Sequence, residues 1–389
     1  MRPIKPESKI VYIGVEDKTL DLFESQYPVP NGVTYNSYLI DDEKIAVMDT
    51  ADARVSDAWL ANLEEALAGR TPDYLVVQHM EPDHSASIRR VMERYPAMQI
   101  VASQKAFPMM QQFFGESYED RRVVVKEGDT LALGAHTLTF AMAAMVHWPE
   151  VMVSYESNEK VLFSADAFGT FGPFEKSEDW VTEARRYYIN IVGKYGAPVQ
   201  ALLKKAAALE IETVCPLHGP VLTEDLGTVV SLYDTWSSYR PETKGVLVAC
   251  ASIHGNTKRA AEELAEMLKA KGETVVFFDL TRGDVAAATA EAFRFDRMVL
   301  CCSTYDTGIF TAGEHFLAHL KAKTYQNRTV GLMENGSWAP MSGKHMKAAF
   351  AEMKNITVVE PMVTLKGAAN EAARAQMAAL CDALTAESL

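Results

Sequence analysis

Beyond Gly245 the chain alternates between short β-rich apolar runs and longer amphipathic ones, and this alternation admits few folds. Strands are expected at residues 246–250, 274–278, 297–302 and 329–333 and near Val358, and helices at 258–271, 312–321, about 342–353 and 369–384. Strands linked through helices cross over right-handedly, so they lie parallel and helices cover both faces of the sheet. The expected fold of this half is a doubly wound α/β domain.

The first half is less regular. Strand-like runs at residues 9–15, 33–40, 44–48, 74–78, 99–102, 122–125, 137–141, 151–154 and 161–164 are mixed with an amphipathic stretch at 55–67, which reads as mixed α/β with two sheets. A helical pattern covers 182–209, a short strand 213–216, and a further helical pattern ends near Tyr239. Arg240-Pro241-Glu242-Thr243-Lys244-Gly245 then supplies the breakers of a linker. The boundary is placed there, giving domains 1–243 and 244–389. The length of 389 residues, at about 150 per domain, agrees with two or three. No repeat at a solenoid or propeller period and no low-complexity tract occurs.

With 48% apolar and 23% charged residues, both halves can build packed cores. The net charge of -14 argues against nucleic acid or an anionic membrane as partner, since both are held by clustered Lys and Arg. The first residues lack the apolar stretch of a signal peptide, and no run approaches the ~20 apolar residues of a membrane span, so a cytoplasmic protein is expected. Cys215, Cys250, Cys301, Cys302 and Cys381 are odd in number and contain no Cys-x-x-Cys. They form neither a disulfide framework nor a rubredoxin-type iron site.

The densest chemistry lies at Gln78-His79-Met80-Glu81-Pro82-Asp83-His84, where a β-rich run ends in two histidines and two carboxylates. With Pro82 blocking helix continuation and the segment extended, His79, Glu81 and Asp83 would converge on one point and His84 on an adjacent one. His147, Asp166 and His218 each follow a later apolar strand. Singly, a histidine at a strand end is usually structural, and Asp166 could cap a turn. Joined to the dense cluster, four histidines and three carboxylates could fill two metal sites, one carboxylate bridging and a position open on each ion. His136, His315, His319 and His345 lack such a setting and read as surface or helix residues.

In order and type, residues 79 to 218 resemble the metallo-β-lactamase superfamily pattern, His-x-His-x-Asp-His followed by separate His, Asp and His. The departure is Glu81, where the hydrolases have a second histidine. A carboxylate there makes the site harder and more anionic, favouring iron over zinc. His-x-Glu-x-Asp-His is the form of the flavodiiron branch. That resemblance implies one iron held by His79, Glu81 and His147 and another by Asp83, His84 and His218, with Asp166 bridging. It implies a metallo-β-lactamase-like αββα sandwich for the first domain. Tyr187 and Tyr188 could reach the iron ligands from outside, although aromatic residues on a helix are more often core.

In the second domain the first strand runs into Ser252-Ile253-His254-Gly255-Asn256-Thr257 and then a helix. Backbone amides at the helix start, with the Ser252 and Thr257 hydroxyls, could surround a phosphate, and Gly255 allows close approach. Neither a Walker loop nor Gly-x-Gly-x-x-Gly is present. Alone, such a turn is more often a helix cap. Two further loops at carboxyl ends of strands stand where a doubly wound fold binds its ligand: Ser303-Thr304-Tyr305-Asp306-Thr307-Gly308, continuing to Phe310, and Asn335-Gly336-Ser337-Trp338, continuing to Pro340. Tyr305 and Trp338 offer contacts to a flat ring, and Gly308 and Gly336 let the chain pass near it. The three loops resemble those of flavodoxins, which implies bound FMN.

Together the two resemblances cover nearly the whole chain and imply a reductase of dioxygen, nitric oxide or both. FMN would take electrons from an external donor, such as rubredoxin or a flavin reductase, to a diiron site. They also imply a head-to-tail homodimer or dimer of dimers, with each flavin facing the partner's irons. Two other readings stay open: a zinc hydrolase fused to a flavodoxin, and a flavodoxin-type electron carrier with a metal-free scaffold. Nothing in the sequence separates dioxygen from nitric oxide.

Overall fold

The computed structural model describes residues 2–386. Met1 and residues 387–389 lie outside the described residues. The chain divides into two compact units, Met1–Asp234 and Thr235–Leu389.

In the first unit, a seven-stranded and a five-stranded sheet face each other. Their inner faces supply one core: Ile10, Tyr38, Ile40, Val76 and Val101 from the first pack with Leu138, Phe140, Met152, Phe163 and Cys215 from the second. Helices Ser56–Leu67, Ala106–Phe114, Trp180–Ile191 and Gly196–Ala206 present apolar stripes in the arrangement expected of an αββα sandwich.

Several expected elements are divided. Residues 9–15 form Ile10–Tyr12 and Val15–Asp17, which belong to different sheets. The chain turns at Gly14, where a Cβ would meet the Tyr35 carbonyl at 2.4 Å. The single helical pattern at 182–209 is two helices, broken by a 3-10 turn at Gly193–Tyr195.

What positions the site is register. Val161–Phe163 and Thr213–Cys215 pair in parallel with Phe163 opposite Cys215. Asp166 and His218, each three residues further on, therefore emerge side by side at the same sheet edge. In the other sheet, Tyr74–Val77 lies between Ala46–Met48 and Gln99–Ser103, parallel to both, and delivers His79 from a buried central strand. Asp49, just past its neighbour, accepts the Gln78 amide at 2.7 Å and that of His79 at 3.4 Å, pinning the strand end.

In the second unit the parallel order is Val275–Asp279, Thr243–Ala251, Phe295–Tyr305, Arg328–Asn335, Ile356–Val358. In sequence terms this is 2-1-3-4-5, a doubly wound order whose switch point lies between the first and third strands. The fifth position continues as Val363–Leu365 beside Met333 to Asn335. Helix Val285–Arg294, absent from the sequence expectation, links the second and third strands. The five cysteines are buried and free.

Candidate metal centre and flavin cavity

All seven side chains expected at the metal site meet, in two groups: His79, Glu81, His147 and Asp166, then Asp83, His84 and His218. The extended reading of residues 79–83 fails at Asp83. Pro82 opens a helical turn, Pro82–Ser85, because a proline at the first helical position sacrifices no hydrogen bond. That turn swings Asp83 away from Glu81 and toward His84 and His218, with Asp83 Oδ2 3.3 and 3.1 Å from their Nε2 atoms.

Asp166 faces both groups. Its Oδ2 lies 3.2 Å from Nε2 of His79 and 3.2 Å from Nε2 of His147. Its Oδ1 lies 3.4 Å from Nε2 of His84 and 3.7 Å from Nε2 of His218. Glu81 Oε2 completes the first group, 3.3 Å from His79 and 3.0 Å from His147. Both oxygens of Asp83, both of Asp166 and Nε2 of His147 are buried without a hydrogen bond. Converging buried acceptors left unpaired are costly unless a cation joins them, so these residues fit metal ions.

Residues outside the sequence reading aim the imidazoles. His79 Nδ1 donates to Oε1 of buried Glu150 at 2.8 Å, and His218 Nδ1 donates to the Thr34 carbonyl at 2.6 Å. Each bond fixes the tautomer that leaves Nε2 facing the site. Glu150 also accepts the Met80 amide at 2.9 Å. Phe23 and Tyr187 pack on the His218 ring at centroid distances of 5.2 and 5.6 Å, and Trp148 on His79 at 5.3 Å. Tyr187 and Tyr188 are both core residues, and Tyr187 is also a wall of the site.

The electrostatics are those of surplus negative charge. Burial alone would lower His79 and His147, yet Asp166, Glu150 and Glu81 hold His79 well above its ordinary range, and Asp166 and Glu81 hold His147 at about 9. Burial would raise Asp166, yet the histidines hold it well below the carboxylate range. Asp49, wholly buried, is pushed up to about 6.

His136 was read as a surface or helix residue; it is buried instead. Its Nδ1 bonds Asp42 at 2.7 Å and its Nε2 Glu159 at 3.3 Å, joining turns from the two sheets.

In the second unit the three expected loops surround a cavity of about 610 Å³, a size that suits a cofactor. It is lined by Ser252, Ile253, His254, Asn256, Thr257, Ser303, Thr304, Tyr305, Asp306, Thr307, Asn335, Gly336, Ser337 and Trp338, joined by Ala339 and Gly367. Gly255 and Gly308 stand outside the lining. Gly255 precedes helix Asn256–Ala270 at φ +87°, a conformation that glycine adopts without strain, and its amide donates to Ser252 Oγ at 3.1 Å. Thr257 Oγ1 and Ser303 Oγ are 2.9 Å apart. The sequence reading missed Arg259, which bonds Asn256 and brings a cation to this loop, and Gly367, whose backbone pairs twice with the Asn335 side chain. Trp338, at 91% exposure, is not a core residue. A helix start, paired hydroxyls and a flat cleft fit a phosphorylated aromatic cofactor.

Residues 33–219 match the family model described as ODP family beta lactamase, and residues 248–375 match that of flavodoxin. A nitric oxide reductase of Moorella thermoacetica is 30% identical over 376 residues, covering 94% of each chain. The structure of rubredoxin oxygen:oxidoreductase from Desulfovibrio gigas superposes with a TM-score of 0.91 at 26% identity, covering 98% of this chain and 97% of that one. The flavodiiron protein of Giardia intestinalis shares the fold with a TM-score of 0.89 at 22% identity, covering 97% and 94%. With its paired metal-binding groups, its flavodoxin half and this full-length likeness, the chain belongs to the flavodiiron protein family.

Proposed function

We propose that this chain is a flavodiiron reductase that reduces dioxygen to water, nitric oxide to nitrous oxide, or both. The observation that carries the reading is Asp166, whose two carboxylate oxygens face two different sets of ligands. In this reading His79, Glu81 and His147 would hold one iron and Asp83, His84 and His218 the other, with Asp166 available to both. FMN would occupy the cavity of the second unit. When bound, the two irons and the flavin supply electron storage that matches the four electrons of dioxygen reduction or the two of nitric oxide reduction.

The chain's own residues do the rest. Glu150 and the Thr34 carbonyl keep the Nε2 atoms of His79 and His218 directed inward. Exposures of 0% at His79 and 7% at His147 keep bulk water from the ligands. Tyr187 holds its proton at a buried oxygen without a hydrogen bond, its ionisation opposed first by burial and then by Asp166 and Asp83.

Electrons come from an external donor such as rubredoxin or a flavin reductase. Trp338 and Tyr305, 91% and 49% exposed at the cavity rim, support a head-to-tail homodimer or dimer of dimers in which a second copy covers this face. Among the described residues no helix is long and apolar enough to cross a membrane, in keeping with a cytoplasmic enzyme.

The zinc-hydrolase alternative is not retained: the relatives named above are a nitric oxide reductase and an oxygen oxidoreductase, and Glu81 hardens the site. Anaerobic metal analysis with side-by-side consumption of both gases tests the proposal. About two irons per chain and electron-balanced loss of either gas support it; zinc, or no consumption of either gas, refutes it.

A further inference from the structure

We infer that helix Thr311–Ala322 carries a separate site for a divalent transition-metal ion, formed by His315 and His319. Residues four apart on a helix lie on one face, and two histidines at that spacing form a familiar chelating pair. Here the Nε2 atoms face each other at 3.0 Å, with ring centroids 4.6 Å apart. The His84 and His218 Nε2 atoms, in the buried cluster, have the same 3.0 Å separation.

The distance also fits a chelate. Two nitrogens ~2.1 Å from one ion lie ~3.0 Å apart when they subtend a right angle, and ~3.4 Å at the tetrahedral angle. A separation of 3.0 Å therefore suits adjacent positions of an octahedral or tetragonal ion. Imidazole donors in that geometry suit copper(II) and nickel(II), and the intrinsic affinity order places copper(II) above zinc(II).

The surroundings suit an accessible pair. His315 is exposed, and His319 half-buried. His319 sits below its ordinary range because burial, then His315 and then Lys323, disfavour its charged form, while Asp284 opposes them. Its ring is therefore free of the proton an ion must displace at neutral pH. Among the described residues no carboxylate, cysteine or third histidine completes a three-ligand set here, so water fills the other positions and the ion exchanges readily. None of the residues assigned to iron or flavin takes part.

The test uses the protein loaded with iron and FMN and titrated calorimetrically with nickel(II) and, separately, zinc(II). The expected result is one nickel per chain beyond the iron, bound more tightly than zinc and weakened as pH falls below about 6.5. His315→Asn and His319→Asn should each weaken it by at least about tenfold, with iron and flavin contents unchanged. Both substitutions fall on the helix surface, and the paired variants guard against a local folding effect at either. Nickel binding that survives both changes, zinc binding tighter than nickel, or a wild-type titration identical to that of the double variant would overturn the inference. The last outcome would reduce the pair to a hydrogen bond between the two rings.

Discussion

Glu150 is the residue whose replacement tests most directly how the first metal position is built. Its Oε1 accepts both the His79 Nδ1 proton at 2.8 Å and the Met80 amide at 2.9 Å, in a side chain only 1% exposed. Glu150→Gln keeps an acceptor of the same shape and removes the charge. A charge-assisted hydrogen bond contributes about 1.5–3 kcal/mol and a neutral one about 0.5–1.5, so the change should cost about 1–2 kcal/mol. That energy falls on the ion held through His79, lowering its affinity roughly five- to thirtyfold. Glu150→Ala differs in kind, because it leaves two buried donors unpaired at about 1–3 kcal/mol each. At ~2–4 °C per kcal/mol for a unit of this size, its melting temperature should fall by roughly 5–20 °C. The assay is anaerobic iron binding against a competing chelator, with thermal melts of the same samples. Only one of the two irons should loosen in Glu150→Gln. Wild-type affinity for both irons, or equal loss at both, would refute the account of Glu150 as the group that orients His79.

Three further outcomes follow from other parts of the structure. His136→Asn should destabilise the first unit in a pH-dependent way. His136 is raised by Asp42 and Glu159 against burial, with Glu156 and, at Glu159, Lys5 nearby, so its contribution is complete below about pH 6.5 and lost as pH rises through its folded value. Asp42 is held at about 2, against burial, by the backbone amides of His136 and Glu43 and by the His136 side chain, so its contribution is present above about pH 4 and lost as pH falls toward 2. The difference in melting temperature between wild type and variant should peak near pH 5, and a flat difference from pH 3 to 9 would contradict the clamp. In the flavin cavity, Gly336→Ala places a Cβ 2.6 Å from Pro340 Cα, a clash with backbone that costs about 1–3 kcal/mol; FMN binding, followed by fluorescence quenching, should weaken by five- to hundredfold. Finally, Glu81→His should shift metal content from iron toward zinc in protein grown with both; unchanged iron occupancy would show that Glu81 does not set the preference.

The sequence made the ligands visible because they follow apolar strands, and parallel register alone brings Asp166 beside His218. It hid the pairing of Asp83, since the effect of Pro82 depends on whether the chain continues into a turn, and proline starts helices as readily as it ends them. Glu150 was hidden by its distance of 71 residues from His79, and the support for His218 by its nature, a backbone carbonyl that any residue at position 34 would offer. His136 was misread for the same reason: its partners are 94 and 23 residues away. Helix Val285–Arg294 is built mainly of alanine, with Val285 and Phe293 its only large apolar residues, so its buried face was easily passed over, although Asp284, which caps it, was a readable signal. The flavin loops were legible because a doubly wound sheet offers one crevice, and Gly367 was not, since it comes from beyond the split fifth strand.

The substitution that most distinguishes this site, glutamate for histidine at position 81, joins its selectivity to its electrostatics. Glu81 and Asp166 meet His79 and His147 in a pocket where none of the four is more than slightly exposed. Without an ion such a cluster can balance its charge only by protonating imidazoles, which is why His147 lies near 9 and Asp166 well below its usual range. Every proton held in this way must leave when a metal enters, so binding tightens as pH rises toward that range. The same excess of carboxylate that makes protons compete also rewards an ion able to reach a higher charge. A site of neutral histidines would bind zinc without this conflict, and would gain nothing when its metal was oxidised. Proton competition at neutral pH is thus the counterpart of stabilising the oxidised metal; Asp166 is the larger source of both, and Glu81, the one residue that departs from the hydrolase pattern, adds to it.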